Sequence, residues 1–584
     1  MKKYLILTII FYTLMIPQIF GQCPPGGVFF DSQLQIDNFP SNYPDCTEIE
    51  GNIAIADYLV NLDSLNQIVS ISGNLTITNN NLTNFVGLKS LDFVGGNFHI
   101  ESSSVINFQG LESLDSIGGE FNPSNATSLI DFSGLENINS IGSLKLRHTE
   151  TLTSLSGLEN LNTIQGYLDL RDNNNLVSLS GLENLSSVGG FVEIESLNDL
   201  VNFSGLESLN FIGGNLIISN NDGLASFSGL ESLDSVGGYM EVYDSDNLSE
   251  FSGLDNLSSV GGNLEVSFNT NLIDFSGLEN LHTIEGALSV ERCNSFTNFS
   301  GLENLYTIEG ELSVDDCDDL INFSGLENLH SIAGDLRIRL NDNLNSLSGL
   351  ENLHSIAGNL SIQFNTNLNS LSGLENLHSI AGDLSIKYNT NLNSLSGLEN
   401  INPESITNLV VTSNGDSLSL CAIRSICYYL VDGGTFSFFG NAEGCNAVEE
   451  IYEDCGSIWD SGIEGNIFMD EDENCLRDTS ELGLDGWTLK LEGGQITRYG
   501  YTYDNGKYFI PAASGVYTIT TMPPNSLWEN ICPETATAEL NASNLIDTLD
   551  FGASTSTFCP LLEVDVTAPY GNRIKNYAAK TLSK

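Results

Sequence analysis

The chain has 584 residues and a formal net charge of −57, with 76 acidic against 19 basic side chains. Such a surface repels nucleic acid and anionic membranes, so neither is expected as a partner, and it favours cations or basic surfaces. Eleven cysteines, none in a C-x-x-C pair, fit an oxidising compartment where disulfides persist and argue against a zinc ribbon.

The first residues read as an address. Lys2 and Lys3 precede an apolar run from Tyr4 to Phe20 that ends in Gly21-Gln22, the pattern of a signal peptide over residues 1–21. Cys23 suggests a lipid anchor, but Gln22 before it is too large and polar for that cleavage site. No later stretch reaches the ~18 continuous apolar residues of a transmembrane helix. A secreted or cell-surface location is therefore expected, with residues 22–45 as an N-terminal cap flanked by Cys23 and Cys46.

From there the sequence repeats itself. Gly-Leu recurs from Gly87 to Gly397 at spacings of 24 residues, with two intervals of 23. A clean unit runs from Gly349 through Leu353, Ile356, Gly358, Leu360, Ile362 and Asn365 to Leu368 and Leu371. Leu360 and Ile362 alternate with polar neighbours, the period of a half-buried strand, and the glycine before them suits a tight bend. No unit can bury its apolar set alone, so the units must stack. The expectation is an all-β, right-handed parallel β-solenoid over residues 46–411, of about sixteen turns and roughly 70–80 Å at ~4.8 Å per strand. Ser-Gly-Leu-Glu, present eleven times, forms an acidic ladder that could be a cation column. It also reads as a capping box, in which serine and glutamate satisfy the first amides of a short helical turn; that reading explains the serine as well.

The unit L-x-x-I-x-G-x-L-x-I-x-x-N-x-x-L, repeated in register over residues 46–455, resembles the receptor L-domain repeat of growth-factor-receptor ectodomains. It is also similar to tandem repeats in surface proteins of Bacteroidetes-type bacteria. The resemblance implies one long parallel sheet and extracellular recognition, with no ligand-contact residue carried over.

Comparing the units with one another localises where recognition would sit. Inward positions barely change, whereas the outward strand positions vary: Lys145/Arg147, Asp169/Arg171, Glu193/Glu195, Glu241/Tyr243, Arg337/Arg339 and Ser385/Lys387. Of the eight Lys and Arg between residues 87 and 400, six fall on this face, more than solubility alone requires. His330, His354 and His378 occupy one position in adjacent turns and should stack, as a pH-sensitive or metal-binding column or as a by-product of repetition. Cys293 and Cys317, one turn apart, are within reach of a rung-to-rung disulfide. Residues 412–456, with Cys421, Cys427, Cys445 and Cys455, read as a stapled C-terminal cap in which four cysteines allow three pairings.

After Cys455 the period stops. Asp470, Asp472, Asn474, Leu476, Asp478 and Glu481 follow the 1-3-5-7-9-12 spacing of an EF-hand-type calcium loop, Leu476 through its carbonyl. Cys475 stands where such a loop has glycine, and the flanks look like strands rather than helices. With Gly483–Leu491, Asp504–Tyr508 and Ser514–Ile519, the segment resembles the B-type modules of serine-aspartate-repeat surface proteins, small prealbumin-like β-sandwiches. That resemblance, over residues 457–557, implies a structural calcium ion held by the six loop residues. Cys475 and Cys532 could pair, leaving Cys559 over. Residues 558–584 read as the truncated start of a further β-domain, with four cations in the last twelve residues. The functional expectation is recognition or adhesion, binding an extracellular protein or glycan on the outward strand face. The rivals are a structural spacer and a carbohydrate-active solenoid enzyme. No off-pattern cluster of carboxylates and bases marks a catalytic site, so an enzyme is not expected.

Overall fold

The protein is described by a computed structural model over residues 23–555, apart from 57–58, 79–80, 102–103, 457–460, 479, 494–495, 503–504, 513, 525–527 and 542–543. The expected signal peptide, the segment 558–584 and Cys559 lie outside the described residues. The chain divides into two compact units, residues 1–223 and 224–584. It is all-β, mostly a parallel β-solenoid of about 17 turns with few helices. Among the described residues, no helix is long and apolar enough to cross a membrane.

One turn of the second unit shows why the sequence winds this way. Strand Leu360–Gln363 buries Leu360 and Ile362 and turns Ser361 and Gln363 outward. It lies parallel to Leu336–Arg339 and Leu384–Lys387, in the register Leu336↔Leu360↔Leu384. A second row has only two residues per turn, Ser331–Ile332, Ser355–Ile356 and Ser379–Ile380. Leu344, Leu347, Leu350 and Leu353 close the remaining sides and are buried. Each fully buried leucine or isoleucine of this kind contributes about 2 kcal/mol.

The corner after each long strand uses a device that the periodicity does not reveal. Phe364 and Tyr388 turn the chain at φ 58°, and the next residue points inward. There Asn341, Asn365, Asn389, Asn414 and Asn441 form a buried ladder. The Asn365 N–H donates to Asn389 Oδ1 at 3.0 Å, and Asn365 Nδ2 donates to the Ile338 carbonyl at 3.1 Å. Each rung thereby satisfies buried backbone groups that would otherwise cost about 1–3 kcal/mol apiece.

The Ser-Gly-Leu-Glu element departs from the expected capping box. At every such glycine from Gly134 to Gly397 the acidic side chain reaches back two residues and accepts the glycine N–H, as in Gly349 N to Glu351 Oε2 at 2.8 Å. No helical turn forms there. The serine instead takes part through its carbonyl, which accepts from the turn before, as in Phe323 N to Ser348 O at 2.7 Å. Gly349 itself has φ 106°, and a Cβ there would lie 2.1 Å from the Phe323 carbonyl, so only glycine fits.

The first unit begins with strand Gly26–Phe30, parallel to Gly51–Ile55. Helix Gln33–Asn42 covers this end, burying Ile36 and Phe39, and Cys23–Cys46 ties its flanks. Two strands then break the regular pattern. Ser116–Asn122 and Ser140–Arg147 have seven and eight residues instead of four, because the short and long rows fuse, and their register shifts between Ile117 and Glu120. Phe85, Phe108 and Phe132 stack beneath them at 5.6 and 5.3 Å.

In the second unit the parallel array runs on through Asn408–Thr412 to Thr435–Phe439. Helices Arg424–Val431 and Val448–Cys455 pack there, and the pairing is Cys421–Cys445 and Cys427–Cys455. Two small sheets follow. One orders Lys507–Pro511, Gly462–Met469, Phe551–Thr555 and Trp528–Cys532, with Ile546–Thr548 also paired to Gly462–Met469. The other is antiparallel, ordering Ile496–Tyr501, Thr488–Gly493, Gly515–Met522 and Thr535–Leu540. Trp487 and Trp528 meet at 5.3 Å and join them. Arg498 pairs with Asp432 at 3.1 Å, and Tyr452 Oη donates to the Tyr499 carbonyl at 2.7 Å, which ties the second sheet to the two helices.

Candidate functional sites on the strand face and in an acidic loop

In the first unit the register sets Lys145, Asp169 and Glu193 side by side, and beside them Arg147, Arg171 and Glu195. These side chains form a connected network. Arg147 Nη2 lies 2.5 Å from Asp169 Oδ2, and Arg171 Nε lies 2.9 Å from Asp169 Oδ1. Arg171 Nη1 also reaches Glu193 at 3.0 Å and Glu195 at 3.8 Å. Asp169, expected as an outward ligand contact, is covered instead: Arg147 from the adjoining rung and Arg171 from its own strand close over it and leave its side chain 2% exposed. Burial pushes its carboxyl up to about 6, against the pull of Arg147.

The network has members that the repeat comparison passed over. The Tyr167 hydroxyl donates to Glu120 Oε2, two turns away, and Asn122 Nδ2 donates to Glu120 Oε1 at 2.8 Å. Burial and this bond to Glu120 raise the Tyr167 phenol above its ordinary value. The Tyr167 and Phe191 rings lie parallel at 4.8 Å. The available signal was the 23-residue interval from Gly134 to Gly157, which holds the fused strand Ser140–Arg147. The repeat frame is therefore not uniform; it breaks where polar side chains gather.

In the second unit Glu241 and Tyr243 stand beside Glu265 and Ser267. Arg337 and Arg339, 49% and 46% exposed, pair with Glu311 at 3.4 Å and Asp315 at 3.3 Å. Lys145 and Lys387 have no ion pair among the described residues. The cations gathered on this face are thus mostly spent on neighbouring carboxylates, and the face is not a positive one.

Two smaller expectations resolve differently. His330, His354 and His378 do stack, at 4.2 and 5.6 Å, with Tyr306 extending the column at 5.2 Å. Parallel rings cannot converge on one ion, His354 Nδ1 lies 2.6 Å from the Asn352 carbonyl, and no three-ligand group arises there among the described residues. Cys293 and Cys317 form no disulfide. They are buried rungs of the asparagine ladder, their thiols lying 3.7 and 3.8 Å from the Val266 and Val290 carbonyls, where other turns place asparagine Nδ2. Burial pushes the Cys293 thiol up to about 12.

The acidic loop brings part of its expected ligand set together. Carboxylate oxygens of Asp470, Asp472 and Glu481 lie within 4.8 Å of one another. Asp470 and Glu481 are 3% and 8% exposed, and among the described residues no Lys or Arg pairs with any of the three. Asp478 is not in that cluster; its N–H donates to Glu481 Oε2 at 2.7 Å, and Asn474 Oδ1 accepts the Leu476 N–H at 2.6 Å. All-oxygen donors, two of them buried carboxylates without a cation, fit a hard divalent ion such as calcium.

The Receptor L domain family matches residues 45–121, 258–324 and 328–432. No curated protein matches the chain. The four disulfides among the described residues and this type of fold fit an extracellular or surface location. The matches fall on stacked parallel turns, which are therefore similar to the receptor L-domain repeat.

Proposed function

We propose that this chain is a secreted or cell-surface recognition protein that binds an extracellular glycan or protein on the outward strand face, centred on the network around Asp169. The observation that carries this reading is the buried carboxylate itself. A stacking solenoid needs no charge inside its surface, and desolvating one is costly unless it is paired. Here Arg147 and Arg171 are held in fixed positions around it, Tyr167 two residues before it is bonded to Glu120, and costs of this kind gather at functional sites. The spacer reading draws on the second unit, where Arg337 and Arg339 are neutralised in place. The two small sheets are a B-type module in this reading, with Asp470, Asp472, Asn474, Leu476, Asp478 and Glu481 around a structural calcium ion that stiffens it.

An array of extracellular polysaccharides and matrix proteins tests the proposal. Wild type should be retained by one class, and Arg147→Ala/Arg171→Ala should lose that retention while melting as a folded protein. Retention that survives both this change and Arg337→Glu/Arg339→Glu would leave the face a spacer.

A further inference from the structure

We infer that the Cys475–Cys532 disulfide is a positioning element of the calcium loop: it takes the place of the glycine at the sixth loop position and fixes the Asp470 carboxylate. The inference rests on the calcium reading of residues 470–481. The sixth residue of such a loop must make a sharp turn, which is why glycine holds it elsewhere. Here Cys475 turns at φ 62°, a conformation unfavourable for a residue with a Cβ, and a contact from outside the loop can offset that cost.

The bond to Cys532, 57 residues on, does so. Cys532 lies on strand Trp528–Cys532 opposite Gly552 of Phe551–Thr555, so the loop is anchored to a sheet rather than to a flanking helix. Both sulfurs and an Asp470 carboxylate oxygen lie within 4.8 Å of one another. The Cys475 N–H donates to Asp470 Oδ2 at 2.9 Å, and Cys532 Sγ touches the same oxygen at 3.8 Å. On the other side Gly552 leaves the room: a Cβ there would lie 2.8 Å from Asp470 Cβ. The Asp470 N–H donates to the Ala553 carbonyl at 3.1 Å. The first ligand is therefore gripped between the cross-link and a glycine before any ion arrives, and the ion need not supply that ordering. Asp470 and Glu481 are more than nine-tenths buried; their carboxylates accept N–H groups of Asn474, Cys475, Glu471 and Asp478 but have no cationic partner among the described residues, and an ion would supply that charge.

Calcium titration calorimetry on the full chain, with terbium luminescence as a second reading, tests this. Cys475→Ser/Cys532→Ser should bind calcium about tenfold more weakly, the loss typical when a group that orients a ligand is removed. Cys475→Gly/Cys532→Ala, which restores the residue suited to a positive φ, should recover part of it. Gly552→Ala, which keeps the disulfide but displaces Asp470, should also weaken binding. Wild-type affinity in the serine pair overturns the inference and leaves the calcium site standing. Wild type that binds no better than Asp470→Ala/Asp472→Ala overturns the calcium reading and the inference with it. Should the serine pair unfold the module, seen in its tryptophan fluorescence, the glycine–alanine pair decides: wild-type affinity there overturns the inference, and weakened affinity upholds it.

Discussion

Asp169 carries the clearest linkage in the molecule. Its carboxyl is raised from the ordinary 3.8 to about 6, so the folded chain holds a proton there that the unfolded chain has already released. Between those values the folded state binds more protons, and stability falls as pH rises, then levels off above about 6. Wild type should thus gain up to roughly 3 kcal/mol between pH 7.5 and pH 3.5 from this group, and Asp169→Asn should lack that gain. Urea melts of the two proteins across that range measure the difference; identical slopes would mean that Arg147 and Arg171 fully offset burial. The same protonation frees both arginines, so retention of ligand should also change below about pH 6. At the ladder cysteines, Cys293→Asn/Cys317→Asn restores the amide that other turns place there. It should stabilise the chain by about 1–2 kcal/mol, the net value of one or two buried hydrogen bonds.

At the scale of the element, what was legible followed from burial. Leu360 and Ile362 had to be inside and Ser361 and Gln363 outside, because side chains in a strand alternate faces. Asn365 was harder, since a polar residue after a strand reads as an exposed turn. Its recurrence at the same position as Asn173, Asn221, Asn269, Asn341 and Asn389 was the signal that it is buried. The glutamate hook was misjudged by one residue of reach, because the backbone there is a plain turn and presents the glycine N–H rather than the serine N–H. The covering of Asp169 could not be read at all: it depends on Arg147 reaching diagonally across rungs while Arg171 folds back along Asp169's own strand. These corners make sharp predictions. Asn365→Ala leaves the Asn341 N–H and the Ile338 carbonyl without this partner and should cost about 2–4 kcal/mol in a urea melt. Gly349→Ala forces a Cβ against the preceding turn and should cost at least about 2 kcal/mol, whereas Ser361→Ala on the outward face should stay within about 0.5 kcal/mol.

For the molecule as a whole, the 24-residue period makes length and function separable. Residues 349–372 form one complete turn, from the glycine of one corner to the residue before the next, Gly373. Deleting them places Leu384–Lys387 beside Leu336–Arg339 with every inward position still inward, because the two strands share one register with the strand between them. Repeat arrays of this kind lose stability roughly in proportion to the turns removed, so the shortened chain should still melt cooperatively. Deleting residues 349–360 removes the corner, the short row and the first strand residue, and cannot restore that register; a protein that still melted like wild type would refute the stacked-turn account. The 24-residue deletion touches no part of the Arg147–Asp169–Arg171 network. If recognition is local to that network, retention on the array should equal that of wild type. If binding runs along the whole strand face, retention should weaken with the lost turn and weaken again when a second is removed.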